Sequence, residues 1–425
     1  MSGTKGKKHP PKRGCDFAAI IDVVPPLTSI SAAVKQSARE LGFDLAGIAP
    51  VQQFRELEYF PQWIAEQRHG EMRYLESRTE SGELKRASIQ KAAPWARSVI
   101  VCALNYNTDQ PYSTEFTDKS KGWISRYAWG QRDYHDVILP KLRALEEKIE
   151  EEFADDGGEQ GEKQIPRGLK SPQDDKGGKR GLVAAGLKAR PSTEEDRVKA
   201  EEVRFWSYVD TGPIVERVLA QHAGIGWIGK NTCIINQQLG SWLFLGIILT
   251  SLELGADLPA PDRCGTCTRC LDSCPTNAFL DAYKLDASKC ISYLTIEKRG
   301  DVPRDLRDPM QNHVFGCDIC QDVCPWNNHP IRPVPFTKEA RFQPRPDLVN
   351  PPLEKLATLS GDGFRQMFRG SPVKRTKRTG IRRNAVIAMG NSGDKHFLPL
   401  LTELEADPDE TVAEHARWAK AKLKD

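Results

Sequence analysis

The chain lacks any long apolar run. Its longest strongly apolar stretch, Trp242–Leu249, falls far short of the roughly 20 residues that a membrane-spanning helix needs. No transmembrane segment is therefore expected. Neither sign of charge dominates either. The 61 Lys and Arg against 58 Asp and Glu leave +3, which excludes a chain-wide basic field but not a local basic patch. Met1–Gly14 is rich in Lys, Pro and Gly and has no apolar core, so it does not read as a secretory signal. Residues 1–27 read as a disordered tail, and the expected location is cytoplasmic. Composition is otherwise that of a soluble protein, with 39% hydrophobic and 28% charged residues over 425 positions. A length of this order suggests about three domains.

Against this ordinary background the 11 cysteines stand out. A reducing compartment argues against a disulfide framework. Eight of them fall between Cys264 and Cys324, and such clustering points to metal.

Upstream, helical and extended patterns alternate. Ile30, Val34, Ala38 and Leu41 recur at helical spacing, Gly42 stops that helix, and Asp44–Ala49 reads as a buried strand. Ser98–Leu104 and Ser241–Leu249 read as further strands, and Ile138, Leu142, Leu145 and Ile149 mark another amphipathic helix. An α/β or α+β body over residues 28–255 follows. Asp155–Ala200 breaks the pattern with many glycines and charges and no aromatic residue, and reads as a flexible surface insertion. Residues 256–335 form the cysteine-bearing region. From about residue 380 the pattern is helical again. Ile381, Ala385, Ala388 and Met389 share a face, followed by Leu398, Leu401 and Leu404 and by Val412, Ala416, Ala419 and Leu423. This resembles one and a half HEAT-type helix pairs, too few to stand alone, so region 336–425 must pack on the rest of the protein.

The cysteine spacing carries the chemistry. Cys264-x2-Cys267-x2-Cys270-x3-Cys274-Pro275 is the bacterial ferredoxin pattern, in which the fourth cysteine ligates the other cluster. Cys317-x2-Cys320-x3-Cys324-Pro325 is a second such block that lacks one ligand, and Cys290 is the natural candidate. One [4Fe–4S] cluster then takes Cys264, Cys267, Cys270 and Cys324, and the other takes Cys274, Cys290, Cys317 and Cys320. The alternative is a pair of zinc sites. Cys102, in an apolar strand, reads as a core residue.

Two clusters make an electron wire rather than a reaction, so an acceptor site is expected upstream. Two segments stand out there: Ile124–Gly130 with Asp133-Tyr-His-Asp136, and Tyr208-Val-Asp-Thr-Gly-Pro213 followed by Glu216-Arg217 and Ala223–Asn231. Gly224, Gly226 and Gly229 suggest backbone approaching a ligand. Asp210, at a strand end before a turn, is a candidate proton donor or simply a turn former.

These residues together resemble the epoxyqueuosine reductase family, the cobalamin-dependent enzymes of tRNA queuosine biosynthesis. The resemblance runs from about residue 28 to the C-terminus. It rests on Tyr208–Pro213, Ala223–Trp227, Lys230-Asn231, the eight cysteines, Cys290–Thr295 and Gly316–Cys320. It implies a fold of the α+β class: a mixed N-terminal body, a ferredoxin-like double-cluster domain and C-terminal HEAT-like helices. It implies reduction of epoxyqueuosine at the tRNA wobble position, with cobalamin held between body and cluster domain. Asp210 falls on the family's proton donor, and Arg86, Ser125, Asp210, Ser292, Asp318 and Ile319 fall on cobalamin contacts. The expected partners are tRNA and an external one-electron donor of flavodoxin or ferredoxin type, with the protein a monomer. The basic run Ser371–Arg383 is either a solvated face or, given a tRNA substrate, a phosphate-binding patch formed by Lys374, Arg375, Lys377 and Arg378, with Lys298 near the anticodon. Two rivals remain. A reductive dehalogenase also pairs cobalamin with two clusters, and a plain electron-transfer module would bind no cobalamin.

Overall fold

The computed structural model describes residues 26–155, 203–328 and 332–425. Residues 1–25 of the expected tail, Cys15 among them, and all but the first residue of the 155–200 insertion lie outside the described residues, whereas Pro26 and Leu27, expected in the tail, already belong to a helix. No described helix is long and apolar enough to cross a membrane.

The elements used below are strands β1 (Leu45–Pro50), β2 (Ser98–Asn105), β3 (Trp123–Ile124), β4 (Phe205–Tyr208), β5 (Leu243–Thr250) and β6 (His313–Phe315). The helices are α1 (Pro26–Glu40), α2 (Tyr134–Asp155), α3 (Glu216–His222), α4 (Ile291–Ile296), α5 (Leu353–Ala357), α6 (Lys377–Ser392), α7 (Leu398–Leu404) and α8 (Glu410–Lys424).

A four-stranded sheet in the order β1-β2-β5-β4 forms the body. Every neighbouring pair in it is antiparallel, which makes the fold α+β rather than doubly wound. The sheet is covered on both faces, so β2 is buried along its whole length. Its side chains alternate as the pleat requires. Ile100, Cys102 and Leu104 join the core under α1 and α2, whereas Val99, Val101 and Ala103 join the core shared with α3. Gly246 of β5 lets α2 come close: a Cβ there would stand 2.9 Å from the Ile138 side chain.

The C-terminal helices have no separate core. Buried residues of α5–α8 pack with Trp123, Ile124, Ala128, Trp129, Val314 and Phe315. β3 pairs in parallel with β6 inside this core. α6 is surrounded on nearly all sides, and even Arg382, Arg383 and Asn384 are buried. Their polar atoms are satisfied by backbone. Arg383 donates to the carbonyls of Leu294, Lys298 and Gly300, and Asn384 donates to those of Thr295 and Val314. α6 therefore grips α4 and β6, the two elements that flank the second cysteine set.

Candidate active site and cluster region

The structure brings the cysteines together in two sets. Cys264, Cys267, Cys270 and Cys324 line one cavity of about 310 Å³, with Lys230, Arg263 and Trp326 on its wall. The Lys230 ammonium donates to the carbonyls of Gly265 (2.7 Å) and Cys267 (3.0 Å), bracing the loop that presents three of these thiols. In the second set Cys317 faces Cys290 and Cys274, and Cys320 meets the thiol of Cys233, which lies outside the ferredoxin spacing, and faces Cys317 and Cys290. Burial pushes the Cys270 thiol up to about 11 and that of Cys324 up to about 12. A metal that binds them displaces those protons.

Spacing separates the candidate metals. Among the described residues, one trio of possible ligand side chains has its ligand atoms within 4.8 Å of one another: Asp301, Glu414 and His415. No cysteine trio is that tight. A tetrahedral zinc with Zn–S bonds of about 2.3 Å would hold its sulfurs about 3.8 Å apart. The Asp301–Glu414–His415 trio is itself structural. Its imidazole Nε2 accepts from the Val302 N–H at 3.2 Å and Nδ1 meets the Thr411 carbonyl at 2.7 Å, so neither nitrogen is open to an ion.

Asp318, between two cysteines of the second set, is clamped. Its carboxylate accepts from Trp123 Nε1 at 3.0 Å, from the Arg126 N–H at 2.8 Å and from the Ser125 hydroxyl. Arg126 lies behind it, 2% exposed. Its guanidinium donates to Thr108, Gln110 and Pro111 and sits 5.1–5.2 Å from the ring centres of Tyr112, Trp129 and Trp242. Ser125 and Asp318 are thus engaged with each other. Ile319 is buried, and Ser292 is half-buried beside Cys290 at the start of α4.

Asp210 lies just past the end of β4 with φ +45°, a left-handed conformation uncommon for a residue with a side chain. Asp tolerates it better than most. The side chain is 42% exposed, and two neighbours on α2 hold it. Tyr134 Oη donates to Oδ2, and His135 Nε2 lies 2.8 Å from Oδ1. The other ring nitrogen of His135 is 2.7 Å from Asp133 Oδ1, which also accepts the His135 backbone N–H at 3.1 Å where α2 begins. Burial works to lower the pKa of His135, but the two carboxylates outweigh it and raise the imidazole to about 9. Burial, together with the Asp210 charge, pushes the Tyr134 phenol well above its ordinary value. This keeps it a donor.

Arg86 is buried and bridges two loops. It donates to the carbonyl of Tyr74 (2.8 Å), to Ser77 Oγ (3.4 Å) and to the carbonyl of Gly212 (2.8 Å), two residues beyond Asp210. Its contacts hold the Asp210 turn. Tyr74, 46% exposed, has the guanidinium carbons of Arg86 and Arg375 each 5.7 Å from its ring centre.

One sequence expectation is corrected. At Gly226 and Gly229 the group that comes close is another part of the chain. A Cβ at Gly226 would lie 2.4 Å from the Ile235 carbonyl, and one at Gly229 would lie 2.4 Å from the Ile235 side chain. The glycines let the 227–235 hairpin close on itself. In the basic run, Lys374, Arg375 and Lys377 are exposed and Arg378 is half-buried. Arg375 pairs with Glu297 at 2.5 Å, Arg378 donates to the Leu359 carbonyl, and Arg382 is buried against Asp407. Lys298 pairs with Glu71 at 2.5 Å. Sequence reasoning gave no role to His135, Tyr134 or Arg126, although all three lie in segments it singled out. Their partners are remote in sequence, so no local signal assigned them.

Two four-cysteine sets braced against an α+β body, beside a loop carboxylate held by an imidazole, define a double-cluster iron–sulfur oxidoreductase. Residues 263–327 match the 4Fe-4S double cluster binding domain, and residues 86–161 match the family described as epoxyqueuosine reductase QueG, DUF1730. The chain is 33% identical over 400 residues to the epoxyqueuosine reductase of Xanthomonas campestris, covering 93% of this chain and 97% of that one. It is 38% identical over 343 residues to that of Synechocystis, covering 80% and 98%. The chain belongs to the epoxyqueuosine reductase family. Among solved structures it superposes on an epoxyqueuosine reductase in complex with a tRNA-Tyr epoxyqueuosine-modified stem loop, with TM-score 0.72, 28% identity and coverage of 93% and 91%. It also superposes on the Bacillus subtilis enzyme in a form with its catalytic aspartate loop swung out of the active site, with TM-score 0.70, 27% identity and coverage of 93% and 90%.

Proposed function

We propose that the chain reduces epoxyqueuosine in tRNA to queuosine, with electrons relayed through two [4Fe–4S] clusters and a proton delivered by Asp210. Converting an epoxide to an alkene consumes two electrons and two protons and releases water. The cysteine sets supply the electron path, one set being Cys264, Cys267, Cys270 and Cys324 and the other Cys274, Cys290, Cys317 and Cys320. The observation that carries the reading is Asp210 itself: exposed, in a left-handed turn, and held by donors on both oxygens.

Cobalamin belongs to this proposal. Ser292 and Ile319 flank thiols of the second set and fit a cofactor that must exchange electrons with that cluster. Ser125 and Asp318 fit less directly, because they are engaged with each other and support the wall from behind. Arg86 supports the site through the Gly212 carbonyl. When bound, cobalamin supplies a low-valent cobalt centre that gathers single electrons and acts on the epoxide carbon. The protein's own residues bind, orient and protonate.

The tRNA contacts fall to Lys298, Lys374, Arg375, Lys377 and Arg378, of which Lys374 and Lys377 are exposed, while Arg375, also exposed, is paired with Glu297. The chain reads as a tail (1–27), a body (28–255), a cluster module (256–335) and a C-terminal region (336–425) whose α6–α8 helices we read as HEAT-like. A flavodoxin- or ferredoxin-type donor, a monomeric state and a cytoplasmic location complete the reading.

The test is Asp210→Asn, assayed on epoxyqueuosine-containing tRNA with cobalamin and strong reductant. Iron content should be unchanged and turnover should fall about 10²–10⁴-fold, as for loss of a positioned acid. Near-normal turnover would return Asp210 to the role of a turn former.

A further inference from the structure

The reaction takes up two protons at one site, and a single carboxyl carries only one. In the structure Asp210 accepts hydrogen bonds at both oxygens, from Tyr134 Oη and His135 Nε2. Each oxygen therefore has a donor against it, and a proton that Asp210 passes on can be replaced from one of these two donors. Tyr134 is a poor source, since its phenol is pushed well above its ordinary range. His135 is different. Its ring lies between Asp133 Oδ1 (2.7 Å) and Asp210 Oδ1 (2.8 Å), and its side chain is one-third exposed. Helix capping alone does not require this arrangement, because Asp133 already accepts the His135 backbone N–H. The ring is also fixed by stacking on Tyr134, with ring centres 4.1 Å apart.

We propose that His135 is the proton reservoir behind Asp210, and that Asp133–His135–Asp210 forms a line that delivers both protons of the reaction in turn. The proposal rests on the reading of Asp210 as the group facing the substrate. In each delivery the N–H bond at His135 Nε2 breaks and an O–H forms on Asp210. That O–H then breaks as one forms on the substrate oxygen. The neutral imidazole regains its proton at Nε2 from solvent, which reaches the one-third-exposed side chain, and the cycle repeats. The sum is epoxide plus two electrons plus two protons giving alkene plus water, the electrons arriving from the external donor through the clusters. His135 acts through Asp210 and is a positioning and proton-supplying residue.

The pH dependence has a definite sign. His135 is raised to about 9, burial being outweighed by the two carboxylates. It stays charged through neutral pH, and the reservoir empties as pH rises through that value. The other ionisable groups facing Asp210 and Tyr134 are Tyr74, Tyr127, Glu216 and, from the C-terminal segment, Arg375. Arg375 keeps its charge over the whole range. Glu216, raised to about 7 chiefly by burial, titrates on the acid side of the limb.

The experiment compares wild type with His135→Gln, His135→Ala and Asp133→Asn, all as cluster-loaded holoenzyme with cobalamin and epoxyqueuosine tRNA. For His135→Gln, kcat at pH 7 should fall about 10²-fold, the lower end for proton-transfer groups, with iron content and tRNA KM unchanged. The basic limb near pH 9 should disappear. For Asp133→Asn the limb should move to lower pH, because one of the two stabilising anions is gone. Added imidazole should restore turnover to His135→Ala. Independently of turnover, ¹⁵N NMR of histidine-labelled protein should show one imidazole titrating near pH 9, absent in His135→Gln and shifted down in Asp210→Asn. Wild-type rate and limb in His135→Gln would overturn the proposal, as would a rate loss with the limb unmoved and no rescue by imidazole. If Asp210→Asn loses turnover while the His135 variants do not, only the reservoir fails. If Asp210→Asn retains turnover, the reading beneath it fails as well.

Discussion

Arg126→Ala tests whether the body and the cluster segment are locked around one buried guanidinium. Arg126 is 2% exposed, and its guanidinium meets acceptors on Thr108, Gln110 and Pro111 at 2.8–3.0 Å. Its backbone N–H holds the buried Asp318 carboxylate, and its charge offsets the burial that pushes Asp318 up. Truncation leaves those acceptors without their donor and the carboxylate without its cation. The two side chains form no direct ion pair and the backbone N–H contact survives the change, so the main loss is of buried acceptors left without a donor, about 1–3 kcal/mol for each that water does not reach. Contact with three aromatic rings adds to the loss, and water entering the space offsets part of it, so about 4 kcal/mol is a fair expectation. At about 1.4 kcal/mol per tenfold, the open form of this segment becomes roughly 10³-fold more populated. Asp318 sits between Cys317 and Cys320, so opening should expose the second cluster. The assay is anaerobic iron release to a ferrous chelator in mild urea, and the rate should rise about 10³-fold if reclosing is fast. Asp318→Asn in the Arg126→Ala background should cost less than the sum of the single changes by about 1 kcal/mol or more, since the uncompensated charge is removed. An Arg126→Ala rate within tenfold of wild type, with additive effects in the double variant, would refute the lock.

Two further outcomes follow from the cluster and tRNA readings. Cys290→Ser should lower reconstituted iron from about eight to about four atoms per chain and leave the spectrum of the Cys264 cluster intact; full iron content would defeat the pairing. Lys374→Ala with Lys377→Ala should weaken tRNA binding and reduce the slope of log affinity against log salt by about 1.4, at roughly 0.7 per phosphate contact on single strands. An unchanged slope would move the tRNA footprint elsewhere.

What was legible in the sequence is what depends on near neighbours. Three cysteines on one loop are within reach of one cluster whatever surrounds them, so Cys264, Cys267 and Cys270 declare themselves by spacing. β2 is legible as an unbroken apolar run and α2 by its helically spaced apolar positions, because such residues must face a core. The antiparallel order of the sheet was not legible, because a chain that alternates helix and strand satisfies an α/β or an α+β arrangement equally well. Gly226 and Gly229 misled because glycine marks any close approach of backbone, and here the approaching group is Ile235 of the same hairpin.

The acid site and the basic run fail to be legible for one physical reason: what a charged side chain can do depends on the partner it meets, and partners are set by tertiary packing. Asp210 and His135 lie 75 positions apart and meet only because the turn after β4 reaches the first turn of α2. Ser371–Arg383 carries six cations in sequence, yet in space Arg382 is buried against Asp407 and Arg383 is bound to backbone carbonyls of the cluster segment. Those two cannot release counterions from a polyanion, because doing so would first break buried contacts. Their charge stabilises the junction between α6 and the elements beside the second cysteine set. The same run therefore divides its work: its inward cations hold the cluster segment in place, and its outward lysines remain for phosphate.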